Sequence, residues 1–85
     1  MNSKKALSKS EIEALLELVY GALCEKDFDP STQIAGYILS EDPIYMPDFN
    51  NARGAIQQID RDDLLRYIIG YYIENKLQNN ENKNS

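Results

Sequence analysis

Apolar residues recur along the chain in blocks of helical spacing, separated by polar or proline-marked breaks. Ile12, Leu15, Leu16, Val19, Tyr20 and Leu23 follow the i, i+3, i+4, i+7, i+8, i+11 pattern of one helical face, and Leu18 and Ala22 widen it. Ser10 with Glu13 three residues later is a capping box, and Ser8 with Glu11 is an alternative start. The pattern predicts a first helix ending near Lys26. Glu11, Glu13 and Glu17 fall on its solvent side, and its acidic first turn suits the macrodipole. Asp29 followed by Pro30 pairs an N-cap with proline at the first helical position. It predicts a second helix from Pro30 to about Leu39, with Ile34, Tyr37, Ile38 and Leu39 turned inward. Gly36 in its interior costs about 1 kcal/mol against alanine, which predicts close approach there of another backbone or an aromatic ring.

Ser40 to Phe49 reads as a connector. Asp42-Pro43 can begin a short helical turn, and Pro47 blocks its extension. Ile44, Tyr45, Met46 and Phe49 are too apolar for a free loop and are expected on the core or between two copies of the chain. Asp48 or Asn50 is expected to cap a third helix holding Ala52, Ala55, Ile56 and Ile59. Asp60 opens a fourth, with Asp63 in a box-like position. Leu64, Leu65, Ile68, Ile69, Tyr72, Ile73 and Leu77 form a wide band there, extended by Tyr67 and Tyr71. A helix apolar over so much of its circumference needs more than one neighbour. No run alternates with period two between turn signals. The fold class is all-α, a compact bundle of four to five short helices.

The 85 residues make one domain. Residues 1–9 form a basic arm expected to be flexible, 10–77 a single helical domain, and 78–85 a polar tail expected to be disordered. About 68 residues must therefore build the core. Domains this small are marginal, so a homodimer is expected to bury what one copy cannot. Ile44, Met46, Phe49, Tyr67, Tyr71 and Tyr72 are the candidate contacts.

The net charge of -5 is concentrated: residues 10–77 hold five basic and thirteen acidic side chains, a local balance of -8. Such a field repels phosphate backbones, which disfavours the alternative of a small helical nucleic-acid-binding dimer. The chain has one cysteine, Cys24, and no histidine. No intrachain disulfide or familiar zinc set can form, and the lone thiol, expected to pack beside Leu23, fits a reducing cytoplasm. No apolar run reaches the roughly 18–20 residues of a membrane span. The lysine-bearing N-terminus has no apolar segment of signal-peptide type, so membrane insertion and secretion are not expected.

Without histidine, the usual acid–base and nucleophile–base pairs are missing. The carboxylate groups Asp27/Asp29, Glu41/Asp42 and Asp60/Asp62/Asp63 sit at predicted helix starts, where capping explains them. No catalytic residue, metal ligand or cofactor is expected. Six tyrosines against two phenylalanines and no tryptophan suit half-buried interface positions. In Asn50-Asn51-Ala52-Arg53, Asn50 can cap a helix, Asn51 can bond a neighbouring backbone group, and Arg53 can pair with Glu41 or Asp42. Alternatively, Arg53 presents its planar fork to a partner.

The stretch around these residues resembles the IreB family of small regulatory proteins from Gram-positive bacteria. Pro30, Gln33, Ile34, Gly36, Tyr37, Ser40, Asp42, Pro43, Tyr45, Pro47, Asn50, Asn51, Ala52, Arg53, Ile56, Arg61 and Asp62 match its hallmark in order and spacing. The resemblance covers about residues 11–77. It marks Gln33, Gly36, Tyr37, Asp42, Pro43, Tyr45, Pro47, Asn50, Asn51 and Arg53 as a partner-binding or structural motif. It implies a compact helical homodimer without enzymatic activity, acting in cell-envelope stress signalling as a negative regulator of cephalosporin resistance. It also implies phosphorylation near the N-terminus by a transmembrane Ser/Thr kinase, and a further downstream protein. The family's phosphoacceptors are threonines ahead of the first helix. Here the only threonine is Thr32, and Ser3, Ser8 and Ser10 are the hydroxyls available in that region. Asp48-Phe49 stands where the family commonly has a basic or aromatic pair.

Overall fold

The computed structural model describes residues 6–78. Four α-helices and one 3-10 turn follow in order: α1 (Lys9–Glu25), α2 (Pro30–Ser40), the turn Pro43–Tyr45, α3 (Ala52–Gln57) and α4 (Arg61–Tyr72). The last helix continues as a wider π-helical stretch over Ile73–Gln78. The described residues contain no strand, in agreement with the all-α expectation. Residues 1–5 of the basic arm and 79–85 of the polar tail lie outside the described residues.

Ser8, not Ser10, starts α1. Its Oγ accepts the Glu11 N–H at 3.2 Å, and Glu11 Oε1 accepts the Ser8 N–H at 2.8 Å. This earlier box places Leu7 just ahead of the cap, where it packs against the core that Ile12 joins, the arrangement of a hydrophobic staple. At the other end, the Phe28 N–H donates to the Leu23 carbonyl at 2.9 Å and the Asp27 N–H to the Cys24 carbonyl at 3.0 Å. These are the two bonds of a Schellman stop, and Asp27 takes the left-handed position with φ 64°. Asp29 then caps α2 by accepting the Thr32 N–H at 3.2 Å, along with the hydroxyls of Ser31 and Thr32. Those bonds, the Thr32 hydroxyl first, hold its carboxyl below the usual carboxylate range.

Asp42 and Pro43 begin the 3-10 turn, as their order in the sequence predicts: Asp42 Oδ1 accepts the Ile44 N–H at 3.1 Å. The start of α3 departs from expectation. Neither Asp48 nor Asn50 caps it. Asn51 holds the cap position at φ 63° and makes no side-chain cap bond, while Asn50 before it has φ 49°. Two successive left-handed residues turn the chain sharply into α3, and asparagine is among the few side chains that tolerate that conformation. Asp60 stands at the cap of α4, also without a side-chain cap bond, so the anticipated box with Asp63 is not formed.

The core joins Ile12, Val19, Ala22 and Leu23 of α1 to Tyr37, Met46, Ala52, Ala55, Ile56, Ile59 and Leu64. α1 packs most extensively on α3, where the buried alanines Ala52 and Ala55 present little bulk. α2 lies against the 3-10 turn and the edge of α1. Four inward expectations on α1 and α2 fail: Leu18, Tyr20, Leu39 and Cys24 are exposed. Cys24 follows the buried Leu23 and so lies about 100° around the helix from it. Leu39 lies in the last turn of α2, two residues beyond the buried Tyr37 and so on nearly the opposite side of the helix. Of the apolar band of α4, Leu64 alone is buried, and Tyr67 packs against the core in part.

Candidate functional site

The hallmark stretch works first as a clamp on its own backbone. Gln33 Nε2, on α2, donates to the Tyr45 carbonyl at 2.6 Å across twelve residues of sequence. One turn further along α2, the Tyr45 ring lies over Gly36, so close that a Cβ there would meet Tyr45 Cδ1 at 2.7 Å. Of the two neighbours expected at Gly36, another backbone or an aromatic ring, it is the ring that approaches. Arg53 on α3 donates from Nε to the Met46 carbonyl at 2.9 Å. The connector is thereby held by α2 at one end and α3 at the other. Each such bond contributes on the order of 1 kcal/mol, and together they fix a proline-rich segment with few ladder bonds of its own.

Arg53 therefore does not pair with Glu41 or Asp42. The Glu41 carboxylate is taken by Arg61, at 3.3 Å from Nη2, and Arg61 Nη1 donates to the Ile38 carbonyl at 3.4 Å. Arg61 thus ties the start of α4 to the end of α2. Tyr37 is buried, and burial pushes its phenol above the usual value despite the nearby Arg61 charge. Asn50 does not cap; its Nδ2 donates to Glu25 Oε1 at 3.4 Å, linking the Asn-Asn turn to the last turn of α1. Asp42 and Pro43 shape the 3-10 turn, and Pro47 follows it, half-buried.

The residues expected at a contact between copies divide into three groups. Met46 is fully buried inside this chain. The 3-10 turn drives it inward, so it belongs to the core and not to a subunit contact. Phe49 and Tyr67 are half-buried and already engaged: the Lys26 ammonium sits 4.5 Å from the Phe49 ring centroid, and the Tyr67 hydroxyl donates to Glu13 Oε2 at 2.6 Å. Ile44, Tyr71 and Tyr72 are open to solvent. Also exposed is an apolar band of Leu39 on α2 and Leu65, Ile68, Ile69, Ile73 and Leu77 on the last helix. Periodicity located this band; its lack of cover shows only once the fold is assembled. At its centre α2 and α4 form an apolar depression of about 480 Å³ lined by Ile34, Ala35, Ile38, Leu39, Leu65 and Ile68.

The link between Tyr67 and Glu13 joins α4 to α1. Partial burial first, and the bond to Glu13 next, push the Tyr67 phenol up to about 12. At the start of α1, Ser8 is occupied by capping, and exposed Ser10 has its Oγ 3.3 Å from that of Ser8. Ser3 lies outside the described residues. Among the described residues, no group of three or more histidine, cysteine or acidic side chains converges as a metal site. No helix among them is long and apolar enough to cross a membrane. The arrangement offers surfaces and a helix start with two neighbouring exposed hydroxyls.

Residues 1–74 match the family model described as IreB regulatory phosphoprotein. A UPF0297 protein of Lachnoclostridium phytofermentans is 42% identical over 67 residues, which covers 79% of this chain and 76% of that protein.

Proposed function

The chain belongs to the IreB family of regulatory phosphoproteins, and we propose that it regulates cell-envelope stress signalling in the cytoplasm through protein contacts, without catalysing a reaction. The observation that carries this reading is the family match together with the uncovered apolar band of α2 and α4. A band of that kind is stable in water when a partner buries it. We assign it to the contact between two copies of the chain, with Ile44 and Tyr72 at its margins; Tyr71 turns to the α1 side of α4. The fixed connector from Gln33 to Arg53 keeps α2, the turn and α3 in register beneath it.

Regulation enters at the N-terminus. A Ser/Thr kinase adding phosphate to Ser10 would place about -1.5 to -2 charges in the first turn of α1, where the helix dipole favours an anion. At Ser8 the same group would displace Glu11 from the capping box. The modified protein then changes its affinity for a downstream protein while keeping its fold. In the family pattern the outcome is negative regulation of cephalosporin resistance. Light scattering at micromolar concentration tests the dimer: twice the 9.7 kDa chain mass is expected, and a monomer mass would contradict it. Intact-mass analysis after incubation with the cognate kinase tests the modification. A gain of phosphate on the N-terminal peptide is expected, and no gain there would remove it.

A further inference from the structure

Across α4 from the apolar band lies a groove of different chemistry. Glu13, Leu16, Glu17 and Tyr20 of α1 face Tyr67 and Tyr71 of α4 around an open depression of about 460 Å³. Tyr67 and Ile69 are two residues apart on one helix, so they point to nearly opposite sides; the groove and the apolar band are separate surfaces. The rings of Tyr67 and Tyr71 stand 6.1 Å apart and tilted by 42°. The Tyr67 hydroxyl is held by Glu13, which leaves that ring fixed in the groove floor. Tyr20 and Tyr71 are both more than half exposed at its rim. Among the described residues, no lysine or arginine lines the groove and no cation pairs with Glu17.

Three tyrosines, whose rings carry negative faces, line the depression together with two carboxylates. This is the environment that attracts a cationic group already partly stripped of water. We propose that the groove between α1 and α4 binds an arginine or lysine side chain carried by a basic, extended segment of a partner protein. The apolar side chain of Leu16 and the ring bodies receive the methylene stem, and Glu17 meets the charged head. Arginine fits best, because its planar guanidinium both stacks on tyrosine and forks to a carboxylate. The net charge of -5 draws a basic segment from solution. The groove gives that diffuse attraction a defined seat.

The test uses the full-length, isotope-labelled chain and a fluorescent peptide with arginine and lysine between glycines, beside a version with glutamates in their place. Amide shifts centred on Glu17, Tyr20 and Tyr71 are expected with the basic peptide alone, and they should weaken as salt is raised. Glu17→Gln and Tyr20→Leu, both at exposed positions, should each weaken binding by about two- to fivefold. Asp62→Asn removes the same charge elsewhere on the surface and should leave affinity unchanged. Equal loss in Asp62→Asn and Glu17→Gln would reduce the effect to overall charge and overturn the proposal. Shifts centred on the apolar band would also overturn it. A groove already filled by a second copy or by the chain's own Lys4-Lys5 segment would give no shifts there, and the basic partner would then be excluded.

Discussion

At the scale of single residues, left-handed backbone and close ring contact decide what each position tolerates. Asp27 occupies the left-handed stop of α1, a position that glycine takes without steric cost. Asp27→Gly should raise stability by about 0.5–1 kcal/mol, read as a higher urea midpoint at unchanged slope. Asn51 is left-handed too, so Asn51→Ala should cost about 1–2 kcal/mol while Asn51→Gly stays near neutral. Two glycines in helices should respond with opposite sign. Nothing lies within 4 Å of a Cβ built on Gly21, so Gly21→Ala should stabilise by about 0.5–1 kcal/mol. Gly36→Ala should instead destabilise by about 1–3 kcal/mol, because the Tyr45 ring must leave its seat. That something packs closely on Gly36 was legible in the sequence, since a helix-interior glycine requires a reason; that it is the Tyr45 ring and not another backbone was not. That the Asn-Asn pair is a double left-handed turn was not: asparagine also caps helices, and one sequence cannot separate the two uses.

At the scale of elements, the joints between helices are few and chemically distinct. Ser8→Ala removes the capping box of α1 and should cost about 1 kcal/mol, visible in thermal melts followed by circular dichroism. α4 is fastened to α1 by Tyr67 and Glu13, and to α2 by Arg61. The folded protein holds the Tyr67 phenol in its protonated form up to about 12, against roughly 10 for a free tyrosine. The stabilisation is therefore complete below about pH 10 and lost as pH rises toward about 12. Melts of the wild type and Tyr67→Phe should be separated by a constant interval at neutral pH, and the interval should shrink across that alkaline window. The helices themselves were legible because their apolar spacing is regular. The joints were not. Arg53 and Arg61 each had several acids within reach in sequence, and only the packing of α2 against the 3-10 turn sends one to the Met46 carbonyl and the other to Glu41.

At the scale of the whole molecule, two surfaces of opposite character flank α4. The apolar one should join copies of the chain: Leu65→Glu with Ile69→Glu should yield a monomer by light scattering, with helical content retained because both positions are exposed here. The excess of greasy helical surface was readable from periodicity together with length. Which part stays uncovered was not: Leu39, expected inward, is exposed, while Met46, for which both the core and a contact between copies were open, is fully buried. One further consequence follows from the Tyr67 hydroxyl resting on the Glu13 carboxylate. The chain has six tyrosines and no tryptophan, so its ultraviolet emission comes from phenol rings alone. A carboxylate that accepts the excited phenol's proton quenches it, so Tyr67 should be dark while α4 is seated and brighten when it lifts. The protein carries its own unlabelled optical gauge of that joint.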